Sequence, residues 1–191
     1  MGILLLYASM HGSTKGIAER VASRLGERGF EVDLGAVPEE RDGNAGDAGM
    51  AAKIESADAV VVGSAMQNRL WLPEAAVLVD RHARLLAARP VWLFTVNSIG
   101  EEGSCFSPRV TAVWRRMLRE TEQIADFREN IVFRDHHHFT GAISEETVRK
   151  EWSRFGRLFF WIMRGRYGDH REWDAIDAWA GTIADELGAS L

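Results

Sequence analysis

The sequence predicts a three-layer α/β sandwich, and three observations carry that expectation. Near-continuous apolar runs recur at Ile3 to Tyr7, Ala57 to Gly63 and Pro90 to Val96, the pattern of strands buried on both faces of a parallel sheet. The segments between them place apolar residues at helical spacing. The chain's 191 residues, 46% of them hydrophobic, suffice for one domain with room for a cofactor-sized cleft. A single domain over residues 1–191 is therefore expected.

Taken in order, the first strand breaks at Ser9 into small hydroxyl residues and glycine. A helix over Thr14 to Arg28 follows, with Ile17, Val21 and Leu25 on one face. Phe30 to Leu34 alternates apolar and polar side chains, which suits a strand nearer the sheet edge. Glu39 to Gly49, rich in glycine and charge, is expected to be a surface connection. After the strand at Ala57 to Gly63, the spacing predicts a helix over Pro73 to Ala88, carrying Ala76, Val79, Ala83 and Leu86. After Pro90 to Val96 it predicts helices at Pro108 to Glu122 and Glu145 to Met163, with a less regular strand within Asn130 to Ile143 between them. A last helix, Trp173 to Leu187, aligns Ile176, Trp179, Ile183 and Leu187. Strands alternating with helices require right-handed crossovers and a parallel sheet covered on both faces. Ligands of such sheets settle beyond the carboxyl ends of the strands, so the loops after Tyr7, Gly63 and Val96 are the places for chemistry.

Composition limits the function classes. One cysteine, Cys105, excludes an intramolecular disulfide framework and a multi-cysteine metal site, and points to a reducing compartment. The apolar start of the chain lacks a basic leader and is expected to be a buried strand. No run approaches the ~20 apolar residues of a membrane span. The net charge is -5, unevenly spread: residues 107 to 171 hold 13 Lys and Arg against 9 Asp and Glu, and the rest hold 10 against 19. An acidic whole argues against nucleic acid as partner. The basic region contains the apolar block Leu158 to Met163, expected to face the core or a homodimer contact, with a bilayer surface as the alternative.

The first loop, Ser9, Met10, His11, Gly12, Ser13 and Thr14, joins three hydroxyls to a glycine at a helix start. Helix N-termini present unpaired N–H groups and the positive end of the helix dipole, so a phosphate is held there without a lysine. The loop has neither the G-x-G-x-x-G of dinucleotide folds nor the Gly-Lys-Ser/Thr ending of nucleoside triphosphatases. Lys15 is expected to be a surface charge. The second loop runs from Gly63 to Pro73 and offers small Ala65, then Met66, Gln67 and Asn68, then Trp71, a flat side chain able to stack on a planar ring or simply to pack the loop. The third loop, with Asn97, Ser98, Ile99 and Gly100, carries groups able to hydrogen-bond the polar edge of such a ring. Cys105 receives no role.

On these residues the chain resembles the flavodoxin family, whose phosphate loop reads Ser/Thr-x-Thr-Gly-x-Thr. Ser9, Gly12 and Thr14 match, and His11 stands where the family has threonine. The resemblance implies a flavodoxin-like sandwich with a five-stranded parallel sheet and bound FMN held by the three loops. The second half looks like the branch that includes menaquinone-dependent protoporphyrinogen oxidase, at Leu93-Phe94-Thr95-Val96-Asn97, at Phe139-Thr140-Gly141 and at Gly168 to Ile176. That branch implies an FMN-dependent oxidoreductase acting on a small hydrophobic substrate, with a quinone as acceptor. It also implies a cytoplasmic protein in peripheral contact with the inner face of the membrane through residues 149–166. A flavodoxin-type electron carrier working through protein partners is the alternative. No catalytic acid or base is assigned. The run His136, His137 and His138 would alternate across a strand, so at most two of the three could share a metal ion; an edge-strand or surface role is expected.

Overall fold

The computed structural model describes residues 1–38, 43–118 and 121–189, excluding the side chains of residues 43–46, 116–118 and 151. The elements run in chain order from β1 (Gly2–Ala8) and α1 (Ser13–Glu27) through β2 (Glu31–Ala36), α2 (Gly43–Ser56), β3 (Ala59–Gln67) and β4 (Leu70–Trp71). Next come α3 (Pro73–Arg81), α4 (Ala83–Leu86), β5 (Val91–Asn97), α5 (Pro108–Leu118), α6 (Glu122–Asn130) and β6 (Asp135–Thr140). The chain closes with β7 (Ala142–Ile143), α7 (Glu145–Glu151), α8 (Arg154–Ile162), β8 (Gly168–Asp169) and α9 (Trp173–Gly188).

Five parallel strands form the sheet in the order β2-β1-β3-β5-β6, and β4 folds back antiparallel on β3. The alternating strand β2 lies at an edge, as its pattern demands. Successive strand residues point to opposite faces. Leu4, Leu6, Val60, Val62 and Leu93 meet Leu78 and Val79 of α3 and Ile124 and Phe127 of α6. Ile3, Leu5, Val61, Trp92 and Phe94 meet Ile17 and Val21 of α1 and Ile176 and Ile183 of α9. Arg20 and Arg24 clamp Asp177 with contacts of 2.6 to 2.7 Å, tying α1 to α9 and holding that carboxyl well below the usual carboxylate range. A third, smaller core of Ile99, Cys105, Phe106 and Phe160 lies where α8 packs on the loop after β5.

Several expected elements differ. The stretch expected to be a surface connection over 39–49 contains the start of α2 from Gly43; its first residues, 39–42, lie outside the described residues. That helix docks through Ile54, fully buried near its C-terminal end, and the half-buried Met50 one turn before it, anchors that its glycine-rich start masked. The helix expected over Pro73 to Ala88 breaks at His82, and the one over Glu145 to Met163 breaks at Trp152 and Ser153. Ser153 is an N-cap, its side chain accepting from the Gly156 N–H at 3.0 Å, and such a cap starts a new helix. Helix α5 ends at Leu118, with residues 119–120 of the expected span outside the described residues; α6 is an addition, started by Thr121, whose hydroxyl accepts from Ile124. The strand expected over Asn130 to Ile143 divides into β6 and the short β7.

Candidate functional site

Because β1, β3 and β5 are parallel and adjacent, their carboxyl ends fall at one end of the sheet. Ala8 pairs with Ser64 and Ala65 with Val96, so the three loops leave at the same level. The order reverses between β1 and β3, the point at which open sheets of this kind receive their ligands.

The first loop is built around Gly12, whose φ of 84° is left-handed and easily reached only by glycine. It caps α1 without a side-chain hydrogen bond, and no acidic residue occupies the first turn, so the helix N-terminus keeps its positive field for an outside anion. Ser9 Oγ accepts from the Gly12 N–H (3.1 Å), stiffening the turn. Ser13 Oγ accepts from the Ala142 N–H (3.0 Å), joining the loop to β7. Thr14 is 1% exposed, and its Oγ1 is buried with no hydrogen-bond partner. A buried hydroxyl left unsatisfied is costly. One placed at an uncapped helix start fits a phosphate oxygen as its missing partner. Met10, His11 and Gly12 are exposed around it, and Lys15 is a surface charge beside Glu19.

The second loop is a β-hairpin. Met66 pairs with Trp71 and Gln67 with Leu70, leaving Asn68 and Arg69 to turn the chain at φ of 51° and 66°, the two-residue left-handed turn that matches strand twist. Gln67 and Asn68 are exposed at the tip, with Ala65 and Met66 half-buried behind them. The hairpin corrects the stacking expectation for Trp71. Pairing sends alternate side chains to opposite faces, and Trp71 is the inward one, 2% exposed. Its Nε1–H donates to Thr95 Oγ1 (2.7 Å), and its ring meets Phe127 edge-on at 5.3 Å. It packs the core beneath the loop. Leu70 is the outward neighbour, half exposed; strand alternation after Gly63 was the signal that would have found it.

The third loop is pinned to β6. The Gly100 N–H donates to Thr140 Oγ1 (2.9 Å) and the Glu101 N–H to the His138 carbonyl (2.8 Å). A Cβ at Gly100 would lie 2.5 Å from the Thr140 nitrogen and 2.8 Å from the His138 oxygen, so only glycine permits this approach. The Gly100 amide is thus spent on the fold, with Ile99 and Gly100 buried, while Asn97 and Ser98 stay half-buried at the strand end. Asn97 Oδ1 accepts from the Ile99 N–H (2.7 Å), and its Nδ2 approaches Met66 Sδ at 3.9 Å, which links the second and third loops. Ala142, far along the chain from the loop it holds, carries no signal in the sequence, and Thr140 stands there only as part of the Phe139-Thr140-Gly141 motif, without its role as the anchor of Gly100.

Two clefts border the third loop. One, of about 550 Å³, is lined by Glu102, Ser104, Phe106, Arg115, Arg166 and Arg171 among others. The other, of about 380 Å³, runs along β6 and its histidines. The rings of His136 and His138 lie 4.4 Å apart on one face, and His137 packs beside Phe139 and Trp179 on the other, as strand alternation requires. His136 Nε2 lies 2.8 Å from Thr95 Oγ1. Thr95 Oγ1 thus lies between the Trp71 Nε1–H, from which it accepts, and the His136 ring nitrogen. Burial, then the nearby charges of His138 and Arg128, hold His136 well below the usual histidine value. Burial pushes the Cys105 thiol up to about 12, leaving it unreactive. Among the described residues no helix is long and apolar enough to cross a membrane, and no group of three or more acidic, histidine or cysteine side chains could hold a metal.

Among proteins of curated function none matches this chain. Solved structures share its fold. A flavodoxin from Pseudomonas aeruginosa, in a cysteine-to-serine mutant form, has a TM-score of 0.54 at 10% identity, covering 98% of this chain and 99% of its own. Flavodoxin 2 from Bacillus cereus gives 0.51 at 22%, covering 83% and 97%. The rubredoxin oxygen:oxidoreductase of Desulfovibrio gigas gives 0.53 at 19%, covering 98% of this chain, which spans only 36% of that larger protein. The family model for the flavodoxin domain matches residues 4–149, the stretch that carries the sheet and all three loops. The chain belongs to the flavodoxin-domain family.

Proposed function

We propose that this protein binds FMN between the three loops and works as an FMN-dependent oxidoreductase on a small hydrophobic substrate. The observation that carries the proposal is the partnerless buried Thr14 hydroxyl at an uncapped helix N-terminus, with the second and third loops level beside it. In this reading Thr14 and the first amides of α1 hold the phosphate, and His11 adds an imidazole at the rim. Met66, Gln67, Asn68 and the exposed Leu70 border the ring on one side, and Asn97 and Ser98 on the other. FMN supplies two-electron redox chemistry, and the protein supplies position, shelter from water and electrostatics. The finer proposal is a protoporphyrinogen-oxidase-like activity with a quinone as acceptor, supported by the motif at Gly168 to Ile176 and by the cleft beside the third loop, where Phe106 offers apolar surface and Arg115 and Arg166 offer charge. A lone buried thiol supports a reducing, cytoplasmic setting.

Titration of the purified protein with FMN, followed by flavin fluorescence and visible absorbance, tests the cofactor. Quenching and a perturbed flavin spectrum are expected, and unchanged spectra at saturation would refute the proposal. Turnover of a porphyrinogen with a soluble quinone and no protein partner tests the enzyme. Binding of FMN without such turnover would instead favour an electron carrier that works through protein partners.

A further inference from the structure

The hairpin of the second loop has little of its own to hold it. Its return strand β4 is two residues long and pairs only with β3, and a ribbon that short is not stable alone. Its turn holds Asn68 and Arg69 in left-handed backbone, which costs free energy for a residue with a Cβ. Side chains fasten its return. The Trp71 N–H donates to Gln123 Oε1 (2.7 Å), the Leu72 N–H to Ser64 Oγ (3.0 Å), and the Trp71 indole Nε1–H to Thr95 Oγ1 (2.7 Å). Only the last contact continues further. Thr95 Oγ1 lies 2.8 Å from His136 Nε2, so a line of three side chains runs from the hairpin through β5 to the edge strand β6.

The protons in that line can be assigned. Trp71 Nε1 only donates, so Thr95 Oγ1 accepts from it. Thr95 is fully buried, and among the described residues its own O–H has one acceptor in reach, His136 Nε2. A buried hydroxyl proton without an acceptor is costly, so Nε2 carries a lone pair and the ring proton sits on Nδ1. The surroundings keep the ring neutral. Burial, then the charges of His138, Arg128 and His137, hold His136 well below the usual histidine value. The rings of Trp71 and Phe133 flank it edge-on, and Glu101, Arg134 and Asp135 line the same cleft.

We propose that Thr95 and His136 are positioning residues for the second loop: the strut Trp71–Thr95–His136, with His136 as its Nδ1–H tautomer, holds the hairpin level with the other two loops. The same stretch of chain fixes those loops too. The His138 carbonyl and Thr140 Oγ1 take the amides of Glu101 and Gly100, and the Ala142 N–H donates to Ser13 Oγ. One edge segment, β6 with β7, therefore sets the level of all three loops. The consequence for affinity rests on the FMN reading: a hairpin released from the strut borders the ring poorly and binds FMN more weakly.

Hydrogen exchange of flavin-free protein, read by mass spectrometry over residues 63–72, tests the strut, and nitrogen NMR of the imidazoles reads the tautomer. Wild type should show His136 with a protonated Nδ1 and a bare Nε2 near neutral pH. His136→Leu removes the acceptor and should speed hairpin exchange about tenfold or more and weaken FMN binding about tenfold, with exchange in α1 and α9 unchanged. His136→Gln restores an acceptor oxygen and should stay within about threefold of wild type on both measures. A His136 that is charged or protonated at Nε2 would overturn the proposal without any variant having to fold. So would equal hairpin exchange in all three proteins, faster exchange spread over the whole sheet in His136→Leu, or a His136→Gln as damaging as His136→Leu. A loosened hairpin with undiminished FMN affinity would overturn the positioning role. Wild type that takes up no FMN, while exchange and tautomer come out as expected, would remove the cofactor reading and leave the strut standing.

Discussion

Replacing Thr14 by valine should move two properties in opposite directions. The substitution keeps the side-chain shape and removes a hydroxyl that is buried without a partner in the ligand-free protein. An unsatisfied buried polar group costs about 1–3 kcal/mol, so the ligand-free variant should be stabilised by that order. For a chain of this size, the melting temperature should rise by roughly 2–4 °C per kcal/mol. Helix propensity contributes little, since threonine and valine rank together. With FMN bound the sign reverses. The hydroxyl then donates to a charged phosphate oxygen, a bond worth about 1.5–3 kcal/mol, and losing it should weaken FMN binding roughly 10- to 100-fold. Riboflavin lacks the phosphate and should bind both forms alike. Thermal melts of flavin-free protein, with fluorescence titrations of FMN and riboflavin, read all three quantities. If the ligand-free variant melts no higher than wild type, or FMN and riboflavin weaken together, Thr14 is not the phosphate ligand.

Three further outcomes follow from the same geometry. Alanine at Gly100 places a Cβ against the backbone of Thr140 and His138, so the third loop must shift; FMN affinity should drop about tenfold with a stability loss of about 1–3 kcal/mol, whereas an unchanged FMN affinity would show that the loop does not touch the flavin. His136 is neutral when folded and titrates near 6.5 when unfolded, so the unfolded chain binds the extra proton and stability should fall as pH drops below about 6.5, by up to ~1.4 kcal/mol per pH unit. Denaturant melts of wild type and His136→Gln should therefore diverge from parallel between pH 7 and 5, a window fixed at its upper end by that unfolded value. Cys105, buried with its thiol raised to about 12, should react with a thiol reagent only as fast as the protein unfolds; rapid labelling of the native protein would place the thiol at the surface.

The sheet was legible because parallel strands buried on both faces leave continuous apolar runs, and β1, β3 and β5 each carry one. The loops followed from the strand ends. Less was visible wherever a side chain's role depends on a distant partner. Trp71 looks the same in sequence whether it caps a ring or fills a core; the hairpin pairing of Met66 with Trp71 decides it, and two-residue turns of Asn-Arg type carry a weak signal. The breaks at His82 and Ser153 escaped for a related reason: helical periodicity runs through both, and it is interrupted only by a side-chain cap at Ser153 and by a change of backbone angles at His82, which has no side-chain cap. The pinning of Gly100 by Thr140 spans 40 residues, a separation that no local pattern encodes.

The phosphate loop gains most from the structure. In sequence it offers three hydroxyls, at Ser9, Ser13 and Thr14, with equal claims on a phosphate. The fold already engages two of them as acceptors. Ser9 holds the turn through the Gly12 N–H, and Ser13 is bound to β7 through the Ala142 N–H, a tie supplied by the segment between β6 and α9. That segment reaches the first turn of α1 as well, at Arg171, whose guanidinium lies so close to Gly16 that a Cβ there would sit 2.5 Å from it. Its charge is already shared with Asp169 in a two-pronged pair of 2.6 and 2.8 Å, which limits what it can lend to a phosphate. The β7–β8 segment therefore braces the loop without replacing its ligands. An anion is then held by the amides of α1 and by Thr14 Oγ1, the buried hydroxyl with no partner, while the Ser9 hydroxyl, which only accepts within the turn, keeps its own O–H to donate.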